Sequence, residues 1–156
     1  MKIIQNKELP SAIIRIWKRK GKCLRLKIDG HSMYPYFRKG DDVELSIKEI
    51  NIHALKIGDI IAFLQDNKII VHRYIKKKKV GQLWKVCQRG DHLHGFRWID
   101  AEQIIGTATA IHRKRQRIDL LSRYQILWNR FSGYSGWLWI WGLETRLILK
   151  GHISHK

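Results

Sequence analysis

The sequence predicts a mainly β, antiparallel domain, preceded by a short helix and followed by a helical tail. Three observations point there. Between residues 22 and 112, short runs rich in β-branched and aromatic residues recur between turn signals. No regular alternation of helix and strand runs through them, so a parallel sheet built from βαβ units is not expected. Helical periodicity is confined to the two ends.

Taken in order, Glu8 to Lys20 carries Ile13, Ile14, Ile16 and Trp17 on one stripe, with Pro10 near the start and Gly21 at the end, which predicts a helix. Cys23, Leu24, Leu26 and Ile28 approximate period-two alternation until Asp29-Gly30 breaks it. Further strands are expected over 42–47, 57–64 and 68–75, the last two joined at Asp66-Asn67. The Lys76 to Lys79 run with Gly81 reads as a solvated turn, followed by strands over 82–88 and 102–112. Beyond Asp119, a plausible helix cap, Leu120, Leu121, Tyr124, Leu127, Trp128 and Phe131 recur at helical spacing. Ser132 to Gly136 should interrupt this helix before a second one, WLWIWGLETRLILK. The expected organisation is therefore an N-terminal helix (1–21), a β domain (22–112) and a basic, Trp-rich helical tail (113–156).

With 31 Lys and Arg against 13 Asp and Glu, the formal net charge is +18, which favours polyanions, anionic lipid or acidic peptides as partners. The two cysteines, Cys23 and Cys87, have no metal or redox spacing and are expected to be buried, reduced thiols. Charges interrupt the apolar N-terminus, so no secretion signal is expected, and no apolar run is long enough for an ordinary spanning helix. The expected location is cytoplasmic, with peripheral attachment at a membrane surface left open.

The chemistry concentrates at Gly30-His31-Ser32-Met33-Tyr34-Pro35. A serine hydroxyl is a weak nucleophile until a neighbouring base takes its proton, and the oxyanion it creates needs backbone donors. This stretch, followed by Lys39-Gly40-Asp41, resembles the nucleophile box of the clan of serine peptidases that holds signal peptidase I and the SOS-repressor autoproteases. Other boxes follow in the clan's order: Lys56-Ile57-Gly58-Asp59-Ile60-Ile61-Ala62-Phe63, then Ile70-Val71-His72-Arg73-Tyr74-Ile75, then Gln88-Arg89-Gly90-Asp91, with Ile105-Gly106 near the domain's end. An ordered set is far more specific than a lone Ser-Met-x-Pro. The resemblance covers roughly residues 22–112 and implies a coiled, barrel-like β peptidase fold, with no cofactor and no metal.

In the clan, Ser32 would be the nucleophile and the 70–75 strand would present the base. Histidine at position 72, where many relatives have lysine, resembles the endoplasmic-reticulum-type branch. An imidazole with an ordinary pKa of about 6.5 implies activity that falls as pH drops through roughly 6 to 6.5. In that branch an aspartate orients the histidine. Asp91, in the recognisable turn, is the first choice and Asp100 the alternative; Arg97 stands where a second acid is expected, so a Ser-His dyad or an impaired enzyme also stays open. Ser32's own N–H is the expected oxyanion donor, with Gly30 letting the chain approach.

The function this implies is a serine endopeptidase acting on an extended leader or signal peptide of a precursor. Two readings from other classes stand beside it: a non-catalytic peptide-binding relative, and a basic nucleic-acid-binding protein. Nucleic acid is the less expected partner, because no helix-turn-helix domain is visible. His92 and His94 lack a third ligand and read as loop histidines. Residues 113–150 fit either of two arrangements, packing of the tryptophans on the β domain or contact with an anionic membrane surface.

Overall fold

The computed structural model describes residues 3–4, 11–92, 95–122, 125–135 and 138. A helix, α1 (Ser11–Lys20), precedes most of the strands: β1 (Ile3–Ile4), β2 (Cys23–Lys27), β3 (Asp42–Ile47), β4 (Ile60–Gln65), β5 (Lys68–Val80), β6 (Leu83–Arg89), β7 (Arg97–Asp100), β8 (Ile104–Arg113) and β9 (Gln116–Asp119). They form one sheet, curled into a half-barrel, in the order β1-β2-β3-β8-β4-β5-β6-β7, with β9 paired to β8. All pairings are antiparallel except β1 with β2. A second helix, α2, spans 125–135.

The alternation seen in the sequence is the burial pattern of the strands. Leu24 and Leu26 of β2 and Val43, Leu45 and Ile47 of β3 point inward, where they meet Ile14 of α1 and Met33 and Phe37 of the turn after β2. A second cluster, with Ile61, Phe63, Tyr74, Val86 and Ile104, fills the space under β4, β5 and β6. The helix α1 stops at Gly21, whose φ of +59° is the left-handed conformation that closes a helix at little cost.

Several expectations are corrected. Lys76 to Lys79 belong to β5: they pair with β6 from Lys76↔Cys87 to Lys79↔Trp84, and the turn falls at Gly81, with φ +60°. The strand tolerates these cations because their stems lie on neighbouring surface, Lys78 Nζ standing 4.3 Å from the Trp98 ring centre and Lys77 Nζ donating to Ile52 O at 2.8 Å. β1, β7 and β9 were not anticipated; the basic run 113–117 folds as the hairpin between β8 and β9. Cys87 is buried as expected, but Cys23 is exposed.

The tail also differs. Asp119 ends β9 instead of capping α2, its carboxylate accepting from the Leu121 N–H, and Ser122 Oγ accepts from the Gln125 N–H instead. Ser132 and Gly133 do not interrupt α2. At Gly133 the helix backbone crosses Gly58 so closely that a Cβ on Gly133 would stand 2.6 Å from Gly58 N, and one on Gly58 would overlap Asn129 O. Gly58 also has a φ of +92°. A helix-period glycine here is a contact point between backbones. The expected second tail helix, apart from Leu138, lies outside the described residues.

Candidate active site

Ser32 sits on the turn after β2 and His72 in the middle of β5. Residues forty positions apart meet here: Ser32 Oγ lies 2.9 Å from His72 Nε2. The local sequence explains both placements. Asp41 fastens the turn that carries Ser32 by accepting from the Arg38 N–H at 2.8 Å and from Arg113 at 2.6 Å. Burial opposes the charge on Asp41, but these bonds outweigh it and hold its carboxyl below the usual carboxylate range. The β4–β5 hairpin fixes His72 opposite Ile61, and the imidazole packs against the Phe63 ring edge.

The other imidazole nitrogen, Nδ1, lies 2.5 Å from Gln88 Oε1. An amide oxygen only accepts, so Nδ1 carries the proton and Nε2 is left to accept from the Ser32 hydroxyl. Strand register produces this contact: Gln88 of β6 is opposite Tyr74, placing it diagonally across from His72 on one face of the sheet. Gln88 thus occupies the place where an orienting aspartate was expected. The sequence placed it in the Gln88-Arg89-Gly90-Asp91 box but gave it no role beyond that of the last strand residue before a turn.

The candidate acids are engaged elsewhere. Asp91 makes a two-pronged ion pair with Arg73, Nε to Oδ1 at 2.8 Å and Nη2 to Oδ2 at 2.6 Å. Because side chains alternate along β5, Arg73 faces away from His72, and it draws Asp91 to that side. Asp100 pairs with Lys85 at 2.7 Å and begins a short 3-10 turn, Ala101–Gln103. The loop that carries Asp91 still touches the site, since the His92 N–H donates to Ser32 O at 2.9 Å. His94 lies outside the described residues, and among the described residues no cluster of ligating side chains could hold a metal ion.

Among the described residues the Ser32 N–H has no acceptor of its own, as an oxyanion donor requires. Gly30 differs from expectation. Its φ is not in the left-handed region, and a Cβ there would meet nothing within 4 Å. The backbone does not need a glycine at this point; the space in front of it is open.

That space belongs to a cleft of roughly 260 Å³ along Ile28, Gly30, Ser32, Met33, Val71 and His72. On the other side of the imidazole, a second cleft of roughly 330 Å³ is bounded by Phe63, Gln88, Arg89, Phe96 and Arg97. A larger opening of roughly 720 Å³ near Leu64, Asp66 and Gln103 contains neither Ser32 nor His72. Side-chain chemistry, and not size, therefore identifies the site.

His72 is 8% exposed. Burial pulls its pKa below 6.5, reinforced by the nearby Arg97 charge and only partly offset by the Gln88 bond and the Asp91 charge. The sign follows directly: a lowered pKa keeps the imidazole neutral, and able to accept a proton, to lower pH. The acid limb of activity is accordingly expected below the 6.5 of a free imidazole. Gln88→Glu should move that limb upward by about one unit or more, since a carboxylate beside the imidazole favours its charged form. Rate-against-pH profiles of the two proteins check this; coincident limbs would show that Gln88 does not govern the base.

No known family model matches the chain, and no curated protein sequence matches it either.

Proposed function

We propose that the protein is a serine endopeptidase that cleaves an extended peptide, of the kind a leader or signal peptide presents, with Ser32 as nucleophile and His72 as general base. The observation that carries this reading is the Ser32–His72–Gln88 relay, with its hydroxyl beside an open cleft. In the forward step the Ser32 oxygen attacks the scissile carbonyl while its proton passes to His72 Nε2. The carbonyl electron pair moves onto oxygen, which the Ser32 N–H stabilises. Collapse expels the amine, which takes the proton back from Nε2 and leaves an acyl ester on Ser32. Water, deprotonated by the same nitrogen, then attacks the ester carbonyl, and the bond to Ser32 Oγ breaks as that oxygen takes the proton back from Nε2 and the acid leaves.

The resemblance to the signal peptidase clan supports the same assignment of Ser32 and His72. Gln88 supplies orientation without charge, so among the described residues the imidazolium formed during reaction is balanced by the more distant Asp91. A lower intrinsic rate than in a triad with a carboxylate follows from that.

The cleft also suits an extended substrate. β5 pairs with β4 over Lys68 to Arg73 but with β6 only from Arg73 onward. The Ile70–His72 stretch is therefore not paired with β6, and residues 28–30 run along the opposite wall of the cleft. A peptide strand laid between them would gain backbone bonds while its alternate side chains enter the cleft. The apolar lining of Ile28, Met33 and Val71 fits aliphatic side chains, and Arg97 at the second cleft fits an acidic one.

Incubation with a diverse peptide mixture, read by mass spectrometry, tests the proposal. Cleavage should cluster after small or aliphatic residues and vanish in Ser32→Ala. Enlarging Gly30 to Val, which nothing in the backbone resists, should cut cleavage without unfolding the protein. Cleavage that persists in Ser32→Ala would remove the assignment.

A further inference from the structure

The helix α2 is attached to the sheet by its polar side. Asn129 is buried and accepts from Arg73 Nη1, through Oδ1 at 3.0 Å and its carbonyl at 3.4 Å. Gln125 Oε1 accepts from Tyr36 Oη at 2.8 Å, Arg130 Nη1 donates to Ile57 O at 2.9 Å, and Gly133 lies against Gly58. Gln125, Asn129 and Gly133 are spaced four apart and so form one stripe.

The opposite stripe is apolar and faces outward. Leu127 and Phe131 are each 68% exposed, with Trp128 at 50% and Tyr134 at 52%. An ordinary surface helix has the reverse polarity. Burying the polar stripe is explained by Arg73, a fully buried cation that needs oxygen acceptors. Exposing large side chains at 127, 131 and 134 has no such reason among the described residues, and a contiguous apolar patch of this kind marks an interaction surface.

We propose that the outer face of α2 docks on an anionic lipid surface. Charge selects this occupant. From 113 to 135 the sequence has Arg113, Lys114, Arg115, Arg117, Arg123 and Arg130 against the single acid Asp119, within a protein of net charge +18; Arg113, Arg117 and Arg130 pair with Asp41, Glu44 and Asp59, while Lys114 and Arg115 stand exposed on the turn between β8 and β9. Lys56 is exposed on the turn that Arg130 and Gly133 hold against α2. Tryptophan, tyrosine and leucine with flanking cations are the composition of a helix lying at the headgroup boundary. Nucleic acid would be met by cations at the contact itself, whereas here leucine and phenylalanine stand outermost. The proposal concerns binding alone and is independent of the peptidase reading.

Flotation of the full chain with vesicles of phosphatidylcholine, or of phosphatidylcholine with phosphatidylglycerol, tests it. Binding is expected only to vesicles that contain phosphatidylglycerol, weakening as salt rises. The double variant Leu127→Ser with Phe131→Ser should lower binding by roughly tenfold or more while its thermal melting stays unchanged, because both side chains are already in solvent. Equal flotation of the double variant, or equal flotation on neutral vesicles, overturns the proposal. So does absence of lipid binding together with self-association that the double variant abolishes, which would make a second copy the occupant.

Discussion

Ser32→Ala is expected to lower peptide cleavage by at least about a thousandfold, His72→Ala by a similar factor, and the double variant by no more than the worse single one. Nucleophile and base act as a unit, so losing either removes the same step. The measurement is kcat/KM on one cleaved peptide for all four proteins. Additive losses would indicate that the hydroxyl and the imidazole work separately, in spite of the 2.9 Å between them.

The largest effect on stability is expected at Arg73. Its guanidinium is 1% exposed and tied to Asp91, Gly58 O and Asn129, with the Tyr36 ring 5.1 Å from its centre. These partners come from the 91–92 loop, the turn before β4, α2 and the Ser32 turn, so one cation joins four segments. Arg73→Met should cost about 3–5 kcal/mol, because it leaves Asp91 charged and half-enclosed without a partner. Adding Asp91→Leu should restore much of that, since a buried pair replaced on both sides by apolar residues is often tolerated. Urea unfolding of the single and double variants gives the comparison. A loss below about 1 kcal/mol in Arg73→Met would place the pair among solvent-screened contacts of little weight.

What the sequence made legible was local. The turn that carries Ser32 was readable because glycine, serine and proline punctuate it within a few residues, and the strand that carries His72 because it is an uninterrupted β-branched run; singling out His72 as a base rested on the resemblance of the boxes. The strands with clear alternation, β2 and β3, were readable for the same reason. What escaped depended on partners far along the chain. Gln88 reaches His72 only through the β5–β6 register, which shifts at a bulge between Tyr74 and Lys76. Asp91 fell beside the correct loop but on the Arg73 side of the strand, a distinction of one residue that no spacing rule resolves. In α2 the apolar stripe was found and its direction was not, because a periodicity is blind to which face a buried arginine and a glycine-to-glycine crossing will claim.

The aspartates of the recognised boxes teach a related point. Asp41 bonds Arg38 and Arg113, Asp59 accepts from the Lys56 N–H, and Asp91 holds Arg73. Asp41 and Asp59 each tie their own turn, and Asp91 ties its loop to β5. These aspartates belong to the scaffold around the candidate site and not to its chemistry.

The most direct test of the central claim is to treat the protein with a serine-directed fluorophosphonate and locate the adduct by peptide mass mapping. The account predicts a single modification, on Ser32, lost in His72→Ala and slowed below the pKa of His72 as that imidazole protonates. An adduct on another residue, or equal modification of Ser32 with and without His72, would contradict it.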